Sequence, residues 1–130
     1  MLGGGLTENP LVSVIDENES VCWAVAAVIR SAGFRVVIFS SAGESILSGQ
    51  ITCTACLVVD VQLTGMSGLQ LQSHLAAAGR HIPMVFIVAR ADEGARALAL
   101  ELGAVNVLDK GSGDKALLKQ VCSILETQGC

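Results

Sequence analysis

The chain has 130 residues, the size of one domain, and at that length folding buries roughly two thirds of the surface the unfolded chain exposes, so no disulfide staples are needed. A net charge of -4, with no cluster of Lys and Arg, excludes direct nucleic-acid contact of the phosphate-binding kind, which relies on basic groups gathered on one face. No apolar run approaches the ~18 residues of a membrane span, and the N-terminus lacks the basic start and cleavage site of a signal peptide. The chain is therefore expected to be cytoplasmic and soluble, with no membrane partner. Its five cysteines, an odd number without a secretory signal, are expected as free thiols in a reducing compartment. With only 15% charged residues, some apolar surface is expected to meet a partner.

In chain order, residues 1–10 are Gly-rich and aperiodic and are expected as a flexible leader, with one domain over 11–127. Short apolar runs then alternate with helical patterns. LVSVI (11–15), RVVIF (35–39), CLVVD (56–60), PMVFIV (83–88) and AVNVL (104–108) are predicted strands, with Pro83 tolerable at a strand start. Between them, helical stripes run through Val21, Val25, Val28 and Ala32, then Leu71, Leu75 and Ala78, then Ala95, Leu98 and Leu102, and finally Leu117, Val121 and Ile124. Ser41 with Glu44 and Ser67 with Gln70 have the spacing of a capping box. Gly33, Gly49, Gly79 and Gly103 each follow a predicted helix, where a left-handed residue is cheapest as Gly. Helical crossovers of this length join parallel strands, so the expected object is a doubly wound α/β domain, a (βα)5 flavodoxin-like fold with a five-stranded parallel sheet of order 2-1-3-4-5.

In such a sheet every strand points its C-terminal end at one edge, where ligands bind. Asp16 and Glu17 follow the first predicted strand, Asp60 ends the third, Val88 and Ala89 stand at the end of the fourth, and Lys110 follows the fifth. Three acids that close repel one another unless a cation intervenes, and a sparse all-oxygen set suits Mg2+, which keeps several waters and binds phosphate. With Lys110 holding a phosphoryl oxygen, Asp60 is placed to act as a nucleophile that forms an acyl phosphate. Taken singly, each of these acids is as well explained as a loop acid or cap; their coincidence at the strand ends together with Lys110 favours a site.

These residues resemble the receiver domain of two-component response regulators. The stretches VSVIDEN, LVVDVQLTGMSGLQL and GAVNVLDKG carry the resemblance, and DVQLTGMSGL is the most specific of them. It implies that Asp60 accepts phosphate from a sensor histidine kinase. It further implies that Asp16, Glu17, Asp60 and the backbone carbonyl of Gln62 hold Mg2+, that Lys110 pairs with the phosphoryl group, and that the amide of Ala89 contacts it. Two departures stand out. Val88 occupies the place where the family usually has Thr or Ser, and Val107 the place of a Tyr or Phe that swings inward on activation. Thr64 and Gly111 also replace common prolines. The phosphorylation site is kept while the parts that read it are changed. Two readings therefore stand: a phosphorylated receiver with another switch, or a phosphorylation-independent interaction or dimerisation module. A hydrolase or phosphotransferase enzyme is disfavoured, because the place of its general acid is Gln62.

Other features carry less. Cys53 and Cys56 have CxxC spacing, but they precede and enter a strand instead of opening a helix, and no second ligand pair accompanies them. Trp23 is expected to pack in the core or at its rim. Arg90 stands equally well as a tuner of dephosphorylation or as a solvated charge. Gly65 and Gly68 read as turn residues that also let the loop backbone approach a phosphoryl group closely. Ala97, Leu100 and Glu101 on the predicted fourth helix, beside the fifth strand, are the candidate surface for a homodimer or effector.

Overall fold

The computed structural model describes residues 9–60, 63, 65–88, 94, 97, 101, 106–109 and 113–129. Strands β1 (Leu11–Ile15), β2 (Arg35–Phe39), β3 (Thr54–Asp60), β4 (Met84–Val88) and β5 (Asn106–Asp109) form one parallel sheet of order β2-β1-β3-β4-β5. Helices α1 (Glu19–Ser31), α2 (Ala42–Leu47), α3 (Gly68–Ala77) and α4 (Asp114–Gly129) connect or follow the strands, and a 3-10 turn spans Gln50–Cys53. Gly94, Ala97 and Glu101, between β4 and β5, are also helical, and Ala97 and Glu101 are exposed. No described helix is long and apolar enough to cross a membrane.

The strand runs are apolar on both sides because both faces of the sheet are covered. Ile15, Leu57, Val59, Phe86, Val88 and Val107 face a cluster that Leu71 and Leu75 of α3 complete. Val12, Val14, Val58 and Val85 face the other way, onto Cys22 and Ile29 of α1 and Leu117, Val121 and Ile124 of α4. The alternation along β1 and β3 is the two-residue period of a strand. Ser13 breaks the apolar run but is wholly buried, and its hydroxyl lies 2.6 Å from Thr54 Oγ1, which itself donates to Gln50 O at 3.0 Å. The buried hydroxyls therefore satisfy each other and the turn before β3.

The helical stripe of α1 differs from the expected one by a residue. Cys22, Ala26 and Ile29 are the buried positions, while Val21, Val25 and Val28 are half-buried and Ala32 is an exposed cap. With apolar residues nearly all round the helix, periodicity alone did not select the inward face. Ala78 likewise is the exposed C-cap of α3, and the stripe of Ala95, Leu98 and Leu102 lies outside the described residues. Gly33, Gly49 and Gly79 have φ of 95°, 76° and 79°, as helix exits of this kind require; Gly103 is outside the described residues. Just before β1, Asn9 Nδ2 donates to Gly33 O at 2.6 Å, Arg35 Nε donates to Asn9 O at 2.8 Å, and Arg35 N donates to Pro10 O at 3.1 Å.

Candidate functional site

The site is built where β1 and β3 lie side by side, the point at which the chain's strand order reverses. These strands pair in register up to Ile15 and Val59, so the next residues, Asp16 and Asp60, leave the sheet at the same level on strands about 4.8 Å apart. Both side chains are buried, at 4% and 6% exposure. Two buried carboxylates at the ends of adjacent strands are costly without a compensating cation. Glu17, one residue on, is exposed, as expected for side chains that alternate in direction at a strand exit.

Asp16 is held from several sides. Its amide donates to Phe39 O at 3.2 Å, its Oδ1 accepts from the amide of Asn18 at 2.8 Å, and its carbonyl accepts from the thiol of Cys22 at 3.2 Å. Asn18 is also the N-cap of α1, with its side-chain oxygen accepting from Val21 N at 3.2 Å. Sequence reasoning missed this cap, although an Asn directly before an apolar helical pattern is its usual signal. Burial raises the pKa of the Cys22 thiol, and the nearby charge of Asp16 adds to the effect.

Helix α3 opens on a complete capping box. Ser67 Oγ accepts from Gln70 N at 3.1 Å, and Ser67 N donates to Gln70 Oε1 at 2.8 Å. The Ser41 and Glu44 pair completes only half of the same motif. Ser41 Oγ accepts from Glu44 N at 3.0 Å, but the Glu44 carboxylate reaches one residue further back, to Ser40 N at 2.9 Å. The two loop glycines serve different ends. Gly65 has φ of 71°, whereas a Cβ at Gly68 would lie 2.9 Å from Phe86 Cε1, 3.0 Å from Asp60 O and 3.1 Å from Val59 Cγ1. Gly68→Ala is expected to destabilise the domain by ~1–3 kcal/mol through overpacking, since Asp60 O belongs to the strand and cannot swing aside. Urea denaturation would measure it, and an unchanged midpoint would show that the loop yields freely.

At the next strand, Val88 is 1% exposed and Val107 is 3% exposed. Val88 pairs with Asp109 and Val107 with Phe86, and both join the cluster that contains Phe86 and Val59. The mouth of β4 thus ends in a packed aliphatic side chain with neither a hydroxyl nor a ring at these two places. Gln62, Ala89, Arg90, Lys110, Thr64, Gly111 and Leu100 lie outside the described residues. Among the described residues no group of three His, Cys, Asp or Glu side chains could hold a metal together; Asp16 and Asp60 share a level and Glu17 stands at the rim. That pair still fits Mg2+, a hard cation that one or two carboxylates hold while it keeps several waters.

Glu17, Glu19 and Trp23 line, with Asp16, a groove of about 530 Å³ that continues between α1 and β2 to Arg30 and Ile38. Trp23 is 56% exposed, a rim residue and no part of the core. The CxxC cysteines do not act as a pair: Cys53 is exposed in the 3-10 turn, while Cys56 is buried in β3 with its thiol pKa pushed up to about 12 by burial.

The family model described as the response regulator receiver domain matches residues 12–122. Nodulation protein W of Bradyrhizobium diazoefficiens is 38% identical over 126 residues, covering 95% of this chain and 56% of that protein. Response regulator protein TmoT of Ectopseudomonas mendocina is 32% identical over 120 residues, covering 92% of this chain and 54% of that protein. The chain thus spans about half the length of the curated relatives it matches. Among solved structures, a response regulator receiver protein from Burkholderia phymatum superposes with a TM-score of 0.78 at 34% identity, covering 91% of this chain and 96% of that one. The response regulator StyR gives 0.82 at 35% identity, over 92% and 60%. Strand order, the acidic pair of adjacent strand ends and these matches agree, and the chain belongs to the response regulator receiver domain family of two-component signalling.

Proposed function

We propose that this receiver domain takes a phosphoryl group onto the carboxylate of Asp60 from the phosphohistidine of a sensor histidine kinase, in a Mg2+-dependent reaction. A carboxylate oxygen of Asp60 forms the new O–P bond as the N–P bond of the donor breaks, and the imidazole leaves with the electron pair. The observation that carries this reading is the pair of buried carboxylates, Asp16 and Asp60, at the same level of adjacent strands. Asp16, Asp60, the rim residue Glu17 and the carbonyl of Gln62 are the residues assigned to hold Mg2+, which when bound supplies positive charge against the phosphoryl oxygens. Lys110 is assigned to pair with the phosphoryl group and the amide of Ala89 to donate to it.

The unit acts as a signalling module and not as a turnover enzyme. It is assigned to residues 11–127 of a cytoplasmic protein after a leader, 1–10, whose last two residues dock on the fold. Val88 and Val107 make its switch unlike the usual one. A rearrangement at the surface around Ala97, Glu101 and β5, in a homodimer, is the proposed route of output. The second reading, a phosphorylation-independent interaction module, draws its support from the same two valines, packed where a hydroxyl and a ring would read the phosphoryl group.

Calorimetric titration with Mg2+ tests the metal half of the proposal. One site per chain is expected for the wild type, and Asp16→Asn is expected to weaken it at least tenfold, the scale of losing a charged ligand. Absence of binding by a folded wild type would contradict the proposal.

A further inference from the structure

The buried contacts beneath Asp16 assign a role to a residue outside the carboxylate set. We propose that Cys22 is a positioning residue for the acidic mouth, its thiol latching the main chain of Asp16 so that the Asp16 carboxylate faces Asp60. This rests on the reading of Asp16 and Asp60 as a Mg2+ site. Cys22 lies one turn into α1, is 1% exposed, and directs its Sγ to Asp16 O at 3.2 Å and to Phe39 O at 3.9 Å. Phe39 O is also the acceptor of the Asp16 amide, at 3.2 Å. One side chain therefore ties the first turn of α1 to the ends of both β1 and β2, at the peptide group that carries Asp16.

The side chain of Asp16 is constrained from the other direction. Its Oδ1 accepts from Asn18 N at 2.8 Å, and Asn18 is itself anchored as the cap of α1. With the peptide held by Cys22 and one carboxylate oxygen held by Asn18, Asp16 has little freedom to turn away from the strand end. Partners of this kind, which touch a ligand residue and not the ion, set the ligand's orientation and commonly change metal affinity by about 10–100-fold when removed. A thiol suits the place: it fills an apolar gap against the cluster of Ile29, Val12 and Val14 and offers a single weak donor to the Asp16 carbonyl, while Phe39 O already accepts from the Asp16 amide.

The experiment is the Mg2+ titration carried out on Cys22→Ala, Cys22→Ser and Ile29→Val, each with its melting temperature. Cys22→Ala removes the donor, and Mg2+ affinity is expected to fall about tenfold. Cys22→Ser keeps a donor and is expected to restore most of that affinity. Ile29→Val loosens the same helix away from the mouth and is expected to lower the melting temperature while leaving Mg2+ affinity unchanged. Equal affinity in Cys22→Ala and wild type, an equal loss in the Ala and Ser variants, or a loss in Ile29→Val matched to its melting temperature would overturn the role of Cys22. Failure of the wild type itself to bind Mg2+ would overturn the metal site on which it rests.

Discussion

Phe86→Ala is expected to cost ~3–5 kcal/mol of folding stability, a large fraction of the ~5–15 kcal/mol that holds a domain together. Phe86 is fully buried and, among the described residues, the largest of the wholly buried side chains. It sits on β4 opposite Val59 of β3 and Val107 of β5, and its Cε1 is the nearest atom to the space above Gly68. Removing the ring therefore opens a cavity under the first turn of α3, at Gly68. The strands on either side are tied by backbone ladders and cannot close the gap, so both the lost transfer energy and the cavity contribute. Phe86→Leu keeps most of the volume and is expected to cost less than half as much. Equilibrium urea denaturation measures both, and a loss below ~1 kcal/mol for the Ala variant would show that this face of the core repacks freely.

Val88→Thr is expected to act in opposite directions on the two states of the domain. Without a phosphoryl group, a hydroxyl replaces a methyl at a site only 1% exposed, and the variant is expected to lose ~1–2 kcal/mol because Val and Thr are not interchangeable in a packed core. With a phosphoryl group on Asp60 the same hydroxyl is placed to donate to an anionic oxygen, or with the beryllofluoride mimic to the fluoride that stands in for it, an interaction of ~1.5–3 kcal/mol, or roughly 10- to 100-fold in affinity. The two residues end adjacent strands: Asp60 pairs with Ile87, and Val88 is the next residue along β4. Beryllofluoride binding in the presence of Mg2+, set beside the melting temperature of the free variant, separates the two effects. A variant that melts lower without binding the mimic more tightly would show that position 88 does not face the phosphoryl group.

Much of the architecture was legible because the chain uses strong local signals. β1 and β2 occupy the runs LVSVI and RVVIF, whose apolar character follows from a sheet covered on both faces. β3 begins two residues before the predicted run, at Thr54, since a Thr in a CTAC context reads as loop until its hydroxyl is seen satisfied by Ser13 and Gln50 O. The face of α1 was misjudged by one position because Val, Ala and Ile surround most of the helix, leaving burial to be decided by packing. Trp23 was expected in the core or at its rim, and the placement of α1 over the edge of β2 decides for the rim of a groove.

The candidate site was legible in its acids and not in its supports. Asp16 and Asp60 could be placed together from strand order alone, because parallel strands deliver their C-terminal residues to one edge. The hydrogen bonds that hold Asp16, from Asn18 N and the Cys22 thiol, depend on how the first turn of α1 meets the strand ends, a tertiary fact with no periodic signature. Glu17 was counted with the pair on sequence adjacency, and its exposure sets it at the rim. Gly68 had two readings, turn and close approach. The atoms of Phe86, Asp60 and Val59 around it show a third role, tight packing against the sheet, while the left-handed backbone of Gly65 is that of a turn residue.

The most direct measurement is the intact mass of the protein after incubation with acetyl phosphate, with Mg2+ or with a chelator, beside an Asp60→Asn variant. In this reaction a carboxylate oxygen of Asp60 takes the phosphoryl group and acetate leaves. The expected result is a gain of one phosphoryl group by the wild type that needs Mg2+ and is absent in Asp60→Asn. An unchanged mass, under conditions that label a receiver with the usual hydroxyl at the end of its fourth strand, would contradict phosphorylation and favour the interaction module.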